Sequence, residues 1–157
     1  MKPRTRTLTD FKAHIMRLCE FLRGFFHVTD HRWSVVWDIE ADPSGQMSTG
    51  ASIEIGHPYL EFRITVYKPL FDMFVKDKRD REICRLIAHE FAHILTDDLR
   101  TLARESVHQV LVEQVRGLNE TLVDKIAYIA MYDIKPSVYK FHPPVVKKAK
   151  SKCKSRK

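Results

Sequence analysis

The segment from Arg85 to Leu95 places two histidines and a glutamate in an otherwise apolar helical run. His89, Glu90 and His93 form the pattern His-Glu-x-x-His. Four residues are slightly more than one turn of an α-helix, so the two imidazoles project from one face about 6 Å apart. Burying such groups is costly unless they have polar partners. The segment therefore predicts a helix on which His89 and His93 bind one Zn²⁺ ion.

Glu90 is offset from His89 by about 100° around this helix. Its carboxylate cannot point where the imidazoles point, but it can reach a water molecule at an open coordination position of the metal. Glu90 is therefore the predicted general base. Catalytic zinc takes three protein ligands and leaves the fourth position to water or substrate, so one more ligand must come from elsewhere in the chain.

The third ligand should follow His93, and the candidate side chains are those of Glu105, His108, Glu113 and Glu120. Apolar residues recur at three- and four-residue steps from Arg104 to Tyr132, which predicts a second helix. Glu113, Glu120 and Asp124 lie along one stripe of that helix. Glu113 and Glu120 are about 10 Å apart along its axis, so they cannot both bind the same ion.

Gly117 lies on the same stripe and has two interpretations. Its missing side chain would let the histidine helix approach closely one turn before Glu120. Alternatively, Gly117 marks a break between two helices. The sequence leaves both open.

The run from Gly117 to Asp124 contains Asn119-Glu120-x-x-x-Asp124, which resembles the Asn-Glu-x-x-x-Asp signature on the second helix of thermolysin-like metallopeptidases, the gluzincins. In that family the glutamate is the third zinc ligand, and the aspartate hydrogen-bonds the first motif histidine. The resemblance thus implies that Glu120 is a ligand and that Asp124 orients His89. Glu120 follows His93 by 27 residues, more than in thermolysin itself, so the connecting loop should differ.

His108 offers a different third ligand. It stands fifteen residues after His93, a spacing similar to that of the third histidine in Spartan/SprT-like DNA-associated proteases. That family presents the histidine beside glycines in a loop, whereas Ser106 to Val110 contain no glycine. We therefore expect a surface histidine here.

The remaining pattern predicts an α+β fold. Apolar periodicity indicates a first helix, Thr9 to Phe26, that packs across a sheet, and alternation indicates strands at Arg32–Ile39, Ala51–Ile55 and Leu60–Tyr67. A turn at Asp42–Gly45 should follow the first strand, and the sheet is predicted to be a one-sided antiparallel meander. The motif helix should begin near Asp77 or Asp80 and end near Asp97 and Asp98. This order over residues 8 to 134 is similar to the zincin-like minigluzincins, including small metallopeptidase-like phage proteins.

The uneven distribution of charged residues predicts a single domain, residues 1–139, followed by a basic tail, residues 140–157. The tail contains seven lysines, Arg156 and no acidic residue, and its composition predicts disorder. Such a tail attracts nucleic acid with little sequence preference, although a purely solubilising tail is an equal alternative. The candidate nucleic-acid contacts are Lys147, Lys148, Lys150, Lys152, Lys154, Arg156 and Lys157.

Three scattered cysteines, Cys19, Cys84 and Cys153, fit free thiols in a reducing compartment. The chain has no run of eighteen apolar residues and no secretory signal, which predicts a cytoplasmic protein that does not cross a membrane.

Two functions remain open at this stage. The first is a zinc endopeptidase, a hydrolase of peptide or protein substrates bound along an exposed strand. The second is a non-catalytic zinc-containing module that binds nucleic acid or protein. The oxyanion-stabilising group of an enzyme could be Tyr128, Tyr132 or His108, although we expect the two tyrosines to pack between the ligand helix and the core. The sequence does not predict the oligomeric state.

Overall fold

The computed structural model describes residues 5–40, 49–56, 60–106 and 111–143. These residues form an α+β fold with a small mixed sheet. Its helices are α1 (Leu8–Phe25), α2 (Lys68–Asp72), α3 (Asp80–Ser106), α4 (Val112–Asp133) and α5 (Pro136–Tyr139), and its strands are β1 (Arg32–Asp38), β2 (Ala51–Gly56) and β3 (Glu61–Tyr67). A π-helical turn, Met73–Asp77, follows α2. None of the helices in the described ranges is long and apolar enough to cross a membrane.

Helix α1 lies within one residue of its predicted bounds at both ends. Thr7 caps it, because its hydroxyl accepts a hydrogen bond from the Asp10 amide while the Asp10 carboxylate accepts one from the Thr7 amide. The apolar stripe is fully buried, and the Phe11 ring contacts Trp37 on β1. The predicted packing of this helix against the sheet is therefore confirmed.

The sheet differs from the predicted meander. Its strand order is β1-β3-β2, with β1 parallel to β3 and β2 antiparallel to β3. Alternation assigned the faces correctly, since Phe62, Ile64 and Val66 are buried while Glu61 and Arg63 are exposed. The alternation could not predict which strands are neighbours in the sheet. The period of a strand determines which of its side chains share a face, but not which strand lies beside it. The predicted turn at Asp42–Gly45 lies outside the described residues.

Helix α3 packs against the buried face of the sheet. The ring of Phe91 stacks on Phe26 from the end of α1 and meets Phe62 of β3 edge to face. Ile83, Ile87 and further apolar residues of α3 are also fully buried. This contact fixes the rotation of α3 and thereby decides which way the histidines point.

The boundary between α3 and α4 was predicted incorrectly. Helix α3 continues to Ser106, beyond the expected end at Asp97 and Asp98, and α4 begins at Val112. Arg104 therefore belongs to the motif helix and not to the ligand helix. Apolar residues at helical spacing continue through the connection, so periodicity did not reveal where one helix stops.

The first residue of α3, Asp80, ties together the two ends of the described chain. Its carboxylate accepts hydrogen bonds from the Arg6 guanidinium and from the backbone amide of Phe141. The Arg6 guanidinium also lies over the rings of Phe74 and Phe141. This cluster holds the segment after α5 against the start of α3.

Cys19 and Cys84 are free, as predicted, and both are buried. Burial raises the pKa of each thiol to about 12. Cys153 and the tail contacts from Lys147 to Lys157 lie outside the described residues.

Candidate metal centre

The histidines of α3 point away from the sheet because their neighbours point toward it. Ile87, Ala88 and Phe91 are fully buried, whereas His89 and His93 are only half-buried. At about 100° per residue, this places both imidazoles on the side of α3 that α4 covers. Their rings are 4.9 Å apart between centroids.

Glu120 of α4 completes a group of three with these histidines. The three side chains offer ligand atoms that all lie within 4.8 Å of one another. The Nε2 atoms of His89 and His93 are 3.2 Å apart, and Glu120 Oε2 lies 3.6 Å from the first and 3.7 Å from the second. The group could hold a metal ion.

These separations fit a tetrahedral ion. Zinc binds imidazole nitrogen and carboxylate oxygen at about 2.0–2.2 Å, which puts two ligand atoms of a tetrahedron about 3.3–3.5 Å apart. The three observed separations differ from that by a few tenths of an ångström. Glu120 is half exposed, so the side of the group that it forms is open to water.

Asp124, one helical turn after Glu120, holds the first histidine. Its Oδ1 atom lies 2.9 Å from His89 Nδ1. An ionised carboxylate only accepts hydrogen bonds, so Nδ1 carries the proton and Nε2 presents its lone pair toward His93 and Glu120. This is the tautomer that a metal ligand requires.

Glu90 lies beside the group but is held differently. A backbone hydrogen bond joins it to Ile53 on β2. Burial and the negative charge of Glu120 raise the pKa of its carboxyl, the hydrogen bond from Ile53 lowers it, and the net result is a pKa of about 8. Glu90 is therefore a desolvated carboxyl next to the two motif histidines.

The rival ligands are not part of this group. Glu113 is exposed and is absent from the His89, His93 and Glu120 cluster, which is the cluster found among the described residues. Glu105 is at the end of α3, and its side chain is not described. His108 lies outside the described residues.

Both interpretations of Gly117 are wrong. The residue lies inside α4, so it does not separate two helices. A Cβ atom at Gly117 would meet nothing within 4 Å, so the missing side chain is not needed for a close approach of α3. The structure provides no reason for a glycine at this position.

Tyr128 and Tyr132 do not pack between α4 and the core. They are 58% and 70% exposed and their hydroxyls are 2.9 Å apart. Burial of the aromatic rings was expected, and α4 instead directs Val123, Ala127, Ala130 and Met131 inward.

Two contacts of the site were not predicted from the sequence. Arg85 lies one turn before His89, and its guanidinium is 3.6 Å from Asp124 Oδ1, so it places a positive charge beside the carboxylate that orients the histidine. The spacing of four residues from His89 would have placed it on the same face. No sequence pattern indicates the backbone contact of Ile53 with Glu90, because this contact depends on how β2 lies against α3.

Comparisons of the chain with protein-family models, with curated proteins and with solved structures found no match. The resemblance to gluzincins therefore stays a prediction from two sequence motifs. The observation that stands independently is the geometry of His89, His93 and Glu120, with Asp124 behind the first of them.

Proposed function

We propose that this protein is a zinc-dependent metallopeptidase in which His89, His93 and Glu120 bind the metal and Glu90 acts as general base. The observation that carries the proposal is the convergence of two Nε2 atoms and one carboxylate oxygen at separations of 3.2, 3.6 and 3.7 Å. These atoms come from two helices and from residues 31 or fewer positions apart in the chain. Two sequence motifs predicted the same three residues.

The donor set favours zinc over other common divalent ions. Two imidazoles with one carboxylate form the ligand set of zinc hydrolases such as thermolysin, whereas Ca²⁺ and Mg²⁺ prefer oxygen ligands throughout. Three protein ligands leave one position for water or substrate, which is typical of catalytic sites. The half exposure of Glu120 supports access to that position.

The residues around the group suit peptide hydrolysis. Bound zinc would lower the pKa of a coordinated water toward about 7 and polarise a substrate carbonyl. Glu90 would take the proton from the attacking water and return it to the leaving amine, so that one carboxyl serves as base and then as acid. Asp124 would hold His89 in the required tautomer throughout.

An extended substrate would bind most directly along β2. This strand is at one edge of the sheet, and Ile53 at its centre hydrogen-bonds Glu90. A peptide that added to this edge through main-chain hydrogen bonds would therefore run past the general base.

The ligand assignment is tested by zinc content. Purified wild-type protein and the Glu120→Ala and Glu113→Ala variants are loaded with zinc, dialysed and analysed by mass spectrometry of the metal. We expect one zinc per chain in wild type and in Glu113→Ala, and substantially less than one in Glu120→Ala. Full occupancy in Glu120→Ala would overturn the assignment.

The catalytic role is tested separately with Glu90→Gln. The amide keeps the size of the side chain and cannot accept the proton, so zinc binding should persist while cleavage of an unstructured, fluorescently labelled protein falls by about 10²–10⁴-fold. A zinc-loaded wild-type protein that cleaves no peptide would favour the non-catalytic module instead.

The lysine-rich tail supports a second, separable proposal of non-specific nucleic-acid binding. The tail concentrates positive charge that would release counterions from a phosphate backbone. Deleting residues 144–157, which keeps Phe141 in its contact with Asp80, should abolish salt-sensitive binding to a DNA duplex and leave zinc content unchanged. Binding that persists after the deletion would refute the role of the tail.

A further inference from the structure

Helix α4 exposes an unusual number of large apolar side chains. Leu118 and Tyr132 are each 70% exposed and Ile129 is 62% exposed. Six of the eleven most exposed large hydrophobic residues among the described residues belong to α4 or to the residue before it. Scattered exposed hydrophobic residues are normal, but a contiguous row on one element marks an interaction surface.

Five of these six residues, together with the half-buried Val115 and the exposed Lys125, follow a regular spacing. Steps of four and three residues alternate without interruption along the helix, which is the spacing of the inward positions of a coiled coil. We call this row the α4 seam, and its members are Leu111, Val115, Leu118, Leu122, Lys125, Ile129 and Tyr132. With about 100° per residue, all seven lie in a sector about 100° wide.

The seam faces away from the rest of the molecule. The buried residues of α4 are Val123, Ala127, Ala130 and Met131, and their mean direction is about 150° from that of the seam. Glu120 lies on the buried side. A partner on the seam would therefore leave the metal centre uncovered.

The spacing identifies the partner as another helix with the same repeat. Side chains at alternating steps of four and three interlock with holes of the same spacing on a facing helix. The positions that flank the seam are largely uncharged: Gln114, Thr121 and Tyr128 on one side, and Val112, Asn119, Ile126 and a single acidic residue, Asp133, on the other. Because no row of like charges borders the seam, it can meet a second copy of itself without repulsion.

Lys125 decides the orientation. It is the one charged member of the seam. In a parallel pair the two Lys125 ammonium groups would share one layer, at a cost in like-charge repulsion. In an antiparallel pair each can lie opposite an apolar residue and extend its ammonium group to solvent.

We propose that the protein forms a homodimer by antiparallel packing of two copies of α4 along the α4 seam. The seam covers 22 residues, Leu111 to Tyr132, or about 33 Å of helix. Three heptads are near the lower limit for a stable pair, so the dissociation constant should be on the order of micromolar. The dimer places its two metal centres on outward faces, and it does not depend on the function proposed for them.

Sedimentation velocity of the full chain over a range from submicromolar to several hundred micromolar tests the dimer. Wild type should change from monomer to dimer across this range. The double variant Leu118→Glu, Ile129→Glu should remain monomeric, because two carboxylates on each copy would be buried in the pair. Met16→Glu is the matched control, since Met16 is an exposed apolar residue on the surface of α1, and it should associate like wild type.

Further measurements bear on the orientation of the pair and on the folding of the variant. Lys125→Leu should tighten the dimer by about tenfold, since a polar residue at an inward position reduces stability. A mixture of wild type and Lys125→Glu should show no preference for mixed dimers, whereas a parallel pair would prefer them. Circular dichroism and zinc content should be unchanged in the double variant, because its substituted residues are exposed in the monomer.

The proposal has clear contrary outcomes. A wild-type chain that stays monomeric at several hundred micromolar would overturn it. A folded double variant that dimerises as wild type does would show that another surface is used, and a preference for mixed dimers would overturn the antiparallel orientation. A wild-type chain that binds no zinc would contradict the proposed function and would leave the dimer proposal unaffected.

Discussion

Replacing Asp124 with asparagine should weaken zinc binding, because the hydrogen bond that orients His89 would lose its charge. The bond joins His89 Nδ1 and Asp124 Oδ1 at 2.9 Å. Partners of this kind contribute about 10–100-fold to metal affinity. The Asp124 side chain is 61% exposed, so water screens its charge. We therefore expect the lower end of that range, about tenfold, or about 1.4 kcal/mol.

The measurement is a competition titration against a chromogenic zinc chelator at constant pH and ionic strength. Asp133→Asn is the matched control, because it makes the same change at an exposed position at the end of α4. We expect it to bind zinc as wild type does. Thermal unfolding of the metal-free proteins should coincide, since Asp124 is exposed and contributes little to the core.

A dissociation constant for Asp124→Asn within twofold of wild type would refute the reasoning. It would mean that the tautomer of His89 is set by the metal alone. An equal loss in Asp124→Asn and Asp133→Asn would point to the net charge of α4 and not to the contact with His89.

Other predictions concern the core. Burial and the positive charge of Arg17 lower the pKa of His14 from 6.5 to about 4, so between those values the unfolded chain binds a proton that the folded chain does not. The unfolding free energy should therefore fall by up to about 3 kcal/mol as the pH decreases from 6.5 to 4, and chemical denaturation should show a smaller fall in His14→Leu. Phe91→Ala should lose about 3–5 kcal/mol in a urea titration, whereas Leu118→Ala, at an exposed position, should change stability by less than about 0.5 kcal/mol. In a Cys153→Ser chain, the buried thiols should react with a chromogenic thiol reagent about a hundredfold more slowly in the folded than in the denatured protein, and rapid reaction of the folded chain would contradict their burial.

The parts of the fold that depend on local pattern were predictable. The bounds of α1 and of the three strands differ from the predicted ones by no more than one residue, because burial of one face imposes a period of 3.6 or 2 on the sequence. The parallel pairing of β1 with β3 was not predictable in this way. Trp33 pairs with Phe62 across that contact, yet each would show the same alternation beside any other strand.

The candidate metal centre was predictable where a single helix supplies the residues. The spacing of His89 and His93 fixes their common face without any knowledge of the fold. Glu120 required the resemblance to gluzincins as well, since four candidates followed His93 and periodicity alone could not say where α4 begins. The contacts of Arg85 and Ile53 were not predicted, because both depend on the distance between elements that the sequence does not specify.

Helix α4 shows why periodicity alone was not enough. Its apolar residues recur at three- and four-residue steps, and this recurrence predicted one helix without showing which of these residues are buried. They occupy two faces: Val123 is buried, whereas Leu122 beside it and Ile129 are exposed. The buried face consists of Val123, Ala127, Ala130 and Met131, and its two alanines allow α4 to lie close to the core, with Glu120 near His89 and His93. An apolar period predicts a helix but not which of its apolar residues meet the core, and large residues such as Leu118 and Ile129 remain on the opposite side, where a second helix can cover them.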